Sequence, residues 1–175
     1  RGRMFAAGTA ALARHGFAHF TRKHWRRSTL ERSLYNRTAQ GPHDLLAFGS
    51  GAGGRIGRFS IAVERDIARY EAAVLAGEKP LASVQPTPPP SPFRTMLSEC
   101  VESCALPKLE HFPEGAQGEA RIILDQWHAA GLLTTTPREQ CPAPPTAGLH
   151  MTLPGTFWAE HLQRLLVQLC AGKQG

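Results

Sequence analysis

Residues 44–54, which read DLLAFGSGAGG, join a short apolar run to a glycine-rich loop. The apolar run, residues 44–48, has turn-forming residues on both sides and is typical of a buried strand in an α/β layer. Three of the glycines match the spacing G-x-G-x-x-G directly after this run, where backbone amides can approach a ligand. Gly57 interrupts the helix that a dinucleotide site would need, so we expect a loop that contacts another small ligand or a plain tight turn.

Helix and strand patterns extend on both sides of this loop. Helical periodicity with glycine or proline at the ends predicts each helix, and alternation of aromatic with small residues predicts a strand before the loop. The predicted helices cover residues 4–14, 63–76, 92–104, 116–130 and 155–171, and the predicted strands cover residues 17–23, 44–48 and 149–153.

A proline-rich stretch divides these elements into two groups. Residues 85–92, QPTPPPSP, hold five of the 14 prolines, and this composition favours an extended connector over a helix. Three helices and a small strand pair follow, which is the pattern of a winged-helix-like unit. We therefore predict a first part over residues 1–84, a connector over residues 85–92 and a mostly helical second part over residues 93–175.

The composition is that of a globular protein with a basic first third. The 175 residues are 42% hydrophobic and 19% charged, and no apolar run approaches the roughly 20 residues of a membrane-spanning helix. Nine basic residues and one acidic residue lie between Arg1 and Arg37, a balance of +8, whereas the remainder carries 11 basic and 13 acidic residues, a balance of −2. An anion is expected near the first third, and nucleic acid, phosphate, carboxylate and propionate groups all suit arginine.

The basic residues are concentrated, together with aromatic and amide residues, in residues 25–44. We expect this segment to be a loop between two strands, and long loops inside compact domains are usually functional. Two interpretations stay open, a solvated basic face and a ligand-binding loop. The candidate ligand contacts are Arg27, Arg32, Tyr35, Asn36 and Gln40.

The cysteines and histidines do not form a recognisable metal motif. Cys100 and Cys104 lie four residues apart on a predicted helix, but no third thiol follows at iron–sulfur spacing. His15 and His19 have the same spacing, which Gly16 interrupts. Four cysteines without a signal-peptide pattern favour free thiols and the cytoplasm. No G-x-S-x-G elbow or phosphate-binding P-loop occurs, and nothing favours a Ser-His-Asp triad.

Two runs of residues resemble a known enzyme family. The first extends from Tyr35-Asn36 through Gln40 and residues 44–54 to residues 77–80. The second joins residues 131–133 to residues 149–158, LHMTLPGTFW. Both are similar to radical S-adenosylmethionine (SAM) enzymes related to oxygen-independent coproporphyrinogen dehydrogenase. Residues 25–35, together with the glycine run and Phe157-Trp158, most resemble the anaerobic heme-degrading methyltransferases of that family.

This resemblance implies an α/β fold, the end of an incomplete radical SAM (β/α) barrel followed by a mostly helical, winged-helix-like carboxy-terminal domain. It implies SAM, a [4Fe-4S] cluster on three cysteines, and heme as a substrate that is methylated and opened to release iron. In such enzymes the cluster cysteines lie upstream of Arg1, so we expect a missing amino-terminal part and an inactive chain. The implied partners are a heme or related tetrapyrrole and an electron donor such as a flavodoxin or a reductase, in the cytoplasm.

The resemblance also implies roles for individual residues of the glycine-rich region. Gly49, Gly51 and Ala52 would bind the cofactor SAM. Gln40 and Asp44 match a glutamine and an aspartate of the dehydrogenase pattern, near a second SAM or the substrate, and are the catalytic candidates. No metal ligand is predicted within the chain.

The substrate-binding candidates lie in the basic segment. Arg27 and Arg32 suit heme propionates by their charge alone, and Tyr35 and Asn36 complete this set. The heme-chaperone branch has His-Asn in place of Tyr35-Asn36 and Ala-His in place of Ala52-Gly53, which argues against a chaperone. The alternatives are a coproporphyrinogen dehydrogenase-like enzyme, a heme chaperone and a winged-helix nucleic-acid-binding protein. The last is disfavoured because the basic residues lie outside the winged-helix-like unit.

Overall fold

A computed structural model describes residues 1–32, 34–40, 43–88, 91–137, 141 and 143–171, with the backbone alone at residues 36, 37 and 40. The chain forms two compact units, Arg1–Gln40 with Ser91–Gly175, and Gly41–Pro90. We call them the split unit and the inserted unit. The division into residues 1–84, 85–92 and 93–175, which rests on the proline-rich stretch, stays a prediction.

The elements of the described residues follow one another as a mixed α/β chain. In order along the chain, the elements are α1 (Gly2–Arg14), β1 (Ala18–Thr21), β2 (His24–Arg26), α2 (Leu34–Gln40), β3 (Gly53–Ile56), β4 (Phe59–Val63), α3 (Ile67–Leu75), β5 (Leu81–Pro86), α4 (Pro92–Glu102), β6 (Ala105–Pro107), a 3-10 turn (Leu109–His111), α5 (Glu114–Ala129), β7 (Leu133–Thr134), β8 (Ala147–Met151) and α6 (Leu153–Cys170). None of the helices among the described residues is long and apolar enough to cross a bilayer.

The split unit begins with a helix and a hairpin. Helix α1 ends at Arg14, and Gly16 follows with a φ of +78°, which suits a residue without a side chain. Strands β1 and β2 pair in antiparallel fashion with His19 opposite Trp25. The predicted strand at residues 17–23 is therefore present, with a partner that was not predicted. The prediction of one loop over residues 25–44 is wrong, because β2 and α2 occupy much of it.

The remainder of the split unit has the topology of a winged helix. The order is α4, β6, α5, β7, β8 and α6, and the antiparallel sheet has the strand order β6-β8-β7. The sequence predicted a strand pair and missed β6, which is only three residues long. All three predicted helices of this region are confirmed within a few residues.

A hydrophobic core joins these helices to the sheet. Leu97 of α4, Leu106 of β6, Met151 of β8 and Leu166 of α6 are fully buried. At the start of α6, the Gly155 amide donates to Oγ1 of Thr152 over 3.2 Å, an N-cap bond. A Cβ at Gly155 would lie 2.0 Å from the carbonyl oxygen of Leu132, so glycine is required where α6 approaches this backbone.

The inserted unit is a three-stranded antiparallel sheet with one helix. The strand order is β3-β4-β5, and α3 connects β4 to β5. The predicted helix over residues 63–76 begins later than expected, because Asp66 caps α3 by accepting a hydrogen bond from the Arg69 amide. Strand β5 continues into the predicted connector as far as Pro86, and proline is tolerated because β5 is an edge strand.

The predicted buried strand at residues 44–48 is wrong. Only Leu45 forms a bridge, with Arg55 of β3, and Phe48 is 82% exposed. The strand pairs of the described residues are all antiparallel, so no parallel layer buries this run on both faces. The run is apolar as predicted, but the described residues of the inserted unit supply no strands that would bury it on both faces.

Candidate functional site

The glycine-rich loop lies at the edge of the inserted unit and leads directly into β3. Gly49 and Gly51 are exposed and have φ values of +92° and +73°, which favour glycine. The Gly51 amide donates to the carbonyl oxygen of Glu64 over 2.8 Å, and the Ala52 amide donates to Gly49 over 3.2 Å. These two amides are therefore engaged within the protein. A ligand at this loop would meet the open faces of the glycines rather than an amide cradle.

Contacts with the end of β4 position this loop. The Ser50 hydroxyl donates to the carbonyl oxygen of Arg65 over 3.0 Å, and the Val63 amide donates to Ala52 over 2.9 Å. A Cβ at Gly51 would lie 3.4 Å from Cγ of Arg65. The loop is thus held in one conformation by hydrogen bonds on both sides of Gly51.

Gly54, the last glycine of the G-x-G-x-x-G spacing, has a structural role. A Cβ at this position would lie 2.4 Å from the carbonyl oxygen of Leu45 and 2.9 Å from the Ala47 nitrogen. The residue lies within β3 rather than at the start of a helix. A dinucleotide fingerprint is therefore excluded, as the sequence analysis favoured.

Asp44, a predicted catalytic residue, holds the turn between β3 and β4. The Gly57 amide donates to Oδ1 of Asp44 over 2.7 Å, and Gly57 has a φ of +54°. Asp44 is exposed. The side chain of Gln40 lies outside the described atoms. The catalytic roles of both residues stay predictions.

The predicted substrate-binding residues lie in the split unit, on and before α2. Arg27 is exposed and its guanidinium carbon lies 5.6 Å from the centre of the Phe17 ring, a cation–π distance. Arg32 is exposed, and Tyr35 is 68% exposed. The Asn36 side chain is outside the described atoms. Each of these three side chains is accessible to an anionic ligand, and their role in binding stays a prediction.

An aromatic cluster that the sequence did not predict lies near the hairpin. It consists of Phe5 of α1, His19 and Trp25 of the hairpin, and Phe157 of α6. The Phe5 ring centre lies 6.1 Å from that of Trp25 and 5.7 Å from that of Phe157. The alternation of Phe17, His19 and Thr21 was visible in sequence, but contact with α1 and α6 was not.

A group of charged residues holds the hairpin turn to the helices. Arg22 lies 3.7 Å from Glu102 of α4 and 3.7 Å from Glu160 of α6, and Lys23 forms an ion pair with Glu160. The hydrogen bond from Lys23, and then the charges of Lys23 and Arg22, lower the pKa of Glu160 below its usual value. Two basic residues of the first third of the chain, Arg22 and Lys23, therefore stabilise the fold.

The four cysteines are buried, and each keeps its thiol outside any disulfide. Burial raises the pKa of the Cys100 thiol, and this effect exceeds the opposing hydrogen bond with Thr146. The Cys141 thiol donates to the carbonyl oxygen of His19 over 3.1 Å. Within the described residues, no group of three His, Cys, Asp or Glu side chains could hold a metal ion. The thiols of this chain do not fit an iron–sulfur cluster, which needs three or four cysteine thiolates that converge on one point.

Comparisons with known proteins place the chain in a family. Anaerobilin synthase from Escherichia coli O157:H7 is 34% identical over 155 residues, which make up 88% of this chain. The chain belongs to the radical SAM family of this enzyme. It spans about a third, 32%, of the length of that relative. No family model matches the chain.

A solved structure shows the same fold. Coproporphyrinogen III oxidase from Escherichia coli, a radical SAM enzyme, has a TM-score of 0.59 and 16% identity, over 92% of this chain and 39% of that one. The predicted fold class, the end of a radical SAM barrel with a winged-helix-like carboxy-terminal domain, is confirmed. The resemblance read from the sequence is confirmed as well.

Proposed function

We propose that this chain is part of a radical SAM enzyme that methylates heme without oxygen and opens its ring to release iron. The observation that carries this proposal is the 34% identity to anaerobilin synthase. Because the chain spans 32% of that relative, the reaction is proposed for the complete cytoplasmic protein and not for this chain alone. The substrate would be heme or a related tetrapyrrole.

The glycine-rich loop supports a SAM site. Gly49 leaves open space where the chain turns, since a Cβ on this residue would meet no atom within 4 Å, whereas a Cβ on Gly51 would contact Cγ of Arg65 at 3.4 Å. SAM would lie against the backbone of Gly49, Gly51 and Ala52, and the loop would keep its shape because the amides of Gly51 and Ala52 are already bonded within the protein. The loop is thus organised in advance for its ligand.

The reaction also needs a [4Fe-4S] cluster, which with SAM supplies a radical once a flavodoxin or a reductase delivers an electron. The buried cysteines of this chain do not fit the cluster, so its ligands would come from another part of the protein. Asp44 and Gln40 would act near the substrate or a second SAM. Arg27 and Arg32, which are exposed, would pair with heme propionates, and Tyr35 and Asn36 would complete the substrate-binding set.

The winged-helix-like topology does not favour nucleic acid. In such units the helix before the last two strands reads the DNA, and here that helix is α5. It carries three acidic residues, Glu114, Glu119 and Asp125, against one arginine, Arg121. This charge would repel phosphates.

The test uses the protein encoded by the complete gene, after anaerobic reconstitution with iron and sulfide. With heme, SAM and a reduced flavodoxin, we expect loss of the heme absorbance, release of iron to a chelator, and transfer of a deuterated methyl group from SAM to the open tetrapyrrole. Decarboxylation of coproporphyrinogen without reaction of heme would instead favour a coproporphyrinogen dehydrogenase. Heme bound unchanged and passed to an apoprotein would favour a chaperone.

A further inference from the structure

Helix α6 presents an indole, an imidazole and a guanidinium group on one face. Trp158, His161 and Arg164 follow one another at intervals of three residues, so they lie side by side along the helix surface. Together with Phe157 and Glu160 they line an open concavity of about 460 Å³. None of these five residues belongs to the glycine-rich loop or to the basic segment. A volume of this size suits a small organic molecule.

The hydrogen bond between Arg164 and His161 determines which groups this concavity offers. Nη2 of Arg164 lies 3.0 Å from Nδ1 of His161. A guanidinium group only donates, so Nδ1 accepts and the ring proton of the neutral imidazole lies on Nε2. Both side chains are exposed. The site therefore offers the Nε2–H of His161 and further N–H groups of Arg164 as donors, and these two residues offer no acceptor.

An aromatic wall lies beside these donors. Trp158 is 50% exposed, although it is one of the largest apolar side chains. Its ring meets those of Phe157 and His161 edge to face, with centres 5.2 Å and 6.0 Å apart. Those contacts orient the indole while half of its surface stays accessible. A flat ring could stack there.

The charges around the concavity favour an anion. Among the described residues that line the concavity, Glu160 is the one acidic residue, and Lys23 and Arg22 both pair with it. Arg164 contributes a positive charge that no carboxylate of the described residues neutralises through an ion pair. The net charge of these side chains is therefore positive, and the positive Arg164 is itself one of the N–H donors.

We propose that this concavity binds a planar aromatic carboxylate. The carboxylate accepts hydrogen bonds from Arg164 and from Nε2–H of His161, and the ring stacks on Trp158. A tetrapyrrole with propionate groups has this chemistry. The choice of a tetrapyrrole rests on the proposed function, whereas the class of ligand rests on the side chains alone. The site would hold such a compound on α6 of the split unit.

The test is a titration of the chain with deuteroporphyrin IX, followed by the absorbance of the porphyrin. We expect Arg164→Gln and Trp158→Ala each to weaken binding about tenfold, since a charge-assisted hydrogen bond or a stacking surface is lost. Arg121→Gln, at an exposed arginine of α5, is the matched control and should leave binding unchanged. The dimethyl ester of the porphyrin should bind the unaltered chain as weakly as deuteroporphyrin binds the Arg164 variant. Circular dichroism checks that each variant folds.

The possible outcomes separate the two proposals. Equal affinity of the Arg164, Trp158 and Arg121 variants would overturn the site. A second titration uses naphthoate, an aromatic carboxylate that is not a tetrapyrrole. Naphthoate binding that depends on Arg164, without porphyrin binding, would uphold the site and overturn the tetrapyrrole assignment. Failure of the complete protein to open heme would overturn the proposed function and would leave both titrations valid.

Discussion

The imidazole of His19 stacks on the indole of Trp25, with ring centres 4.7 Å apart and planes inclined by 13°. The two residues face each other across the antiparallel pair β1 and β2, which places their side chains on the same side of the hairpin. Phe5 of α1 meets both rings edge to face. This stack is therefore where the first helix and the hairpin come together.

Replacing Trp25 with alanine should destabilise the split unit. Truncation of a buried tryptophan costs about 3 to 5 kcal/mol, and we expect the lower end because Trp25 is partly exposed. The measurement is urea unfolding followed by far-ultraviolet circular dichroism. Trp158→Ala is the control, with an expected loss below about 1 kcal/mol since this ring is half in solvent. A similar decrease in the free energy of unfolding in the two variants would show that the stack of Trp25 on His19 does not stabilise the split unit.

Gly54→Ala should loosen the inserted unit, because its Cβ would lie 2.4 Å from the carbonyl oxygen of Leu45. Overpacking of this kind costs about 1 to 3 kcal/mol. Leu45 and Arg55 exchange amide hydrogen bonds of 2.7 and 2.8 Å, so their amides should exchange with deuterium faster in the variant. Gly53→Ala is the matched control, since its Cβ would lie 4.0 Å from the nearest atom. Unchanged exchange at Leu45 in the Gly54 variant would show that the close contact relaxes freely.

Glu160 should make the stability depend on pH through its pairing with Lys23 and Arg22. Its pKa is lowered from 4.5, so its stabilisation is present above pH 4.5 and is lost as the pH falls through the folded-state pKa. Glu160→Gln should lower the free energy of unfolding by less than about 1 kcal/mol at pH 7, because the ion pairs are exposed. In strong acid, where Glu160 is protonated, it should leave the free energy of unfolding unchanged. Thermal unfolding at several pH values measures this difference, with Glu71→Gln on α3 as the control. A cost that is the same at all pH values would exclude the ion pairs as its cause.

Replacing Arg27 and Arg32 together with alanine should weaken heme binding by the complete protein. Each exposed guanidinium could pair with one propionate, and loss of both should raise the Kd about tenfold or more. Heme absorbance titrations measure the change. Arg58→Ala combined with Arg69→Ala removes the same charge from two exposed positions of the inserted unit and is the control. An equal increase in Kd for the two pairs of substitutions would show that Arg27 and Arg32 act only through the overall positive charge of the protein.

Gly51→Val should abolish SAM cleavage by the complete protein. Gly51 has a φ of +73° and is exposed, so a branched side chain would strain the loop and fill the space that we assign to SAM. Release of 5′-deoxyadenosine is the readout. Gly53→Val adds the same side chain two residues further along, in β3, and should keep activity. Full activity of the Gly51 variant would refute the placement of SAM.

The sequence alone was sufficient for features that depend on local chemistry. The helices α1, α4, α5 and α6 follow from helical periodicity, from Gly16 after α1 and from the proline and serine or threonine at the starts of α4 and α6. The family resemblance and the fold class that it implies also came from sequence motifs, because each motif consists of neighbouring residues and the motifs occur in the same order as in the family.

Tertiary structure decided what each local feature contacts. The apolar run at residues 44–48 has the composition of a strand, yet it forms a single bridge at Leu45, because burial of a strand requires partners on both sides. His19 and Trp25 face each other because of hairpin register, and Trp158, His161 and Arg164 share a concavity because α6 turns that face outward. Pairing and exposure are properties of distant segments brought together, and no local pattern specifies them.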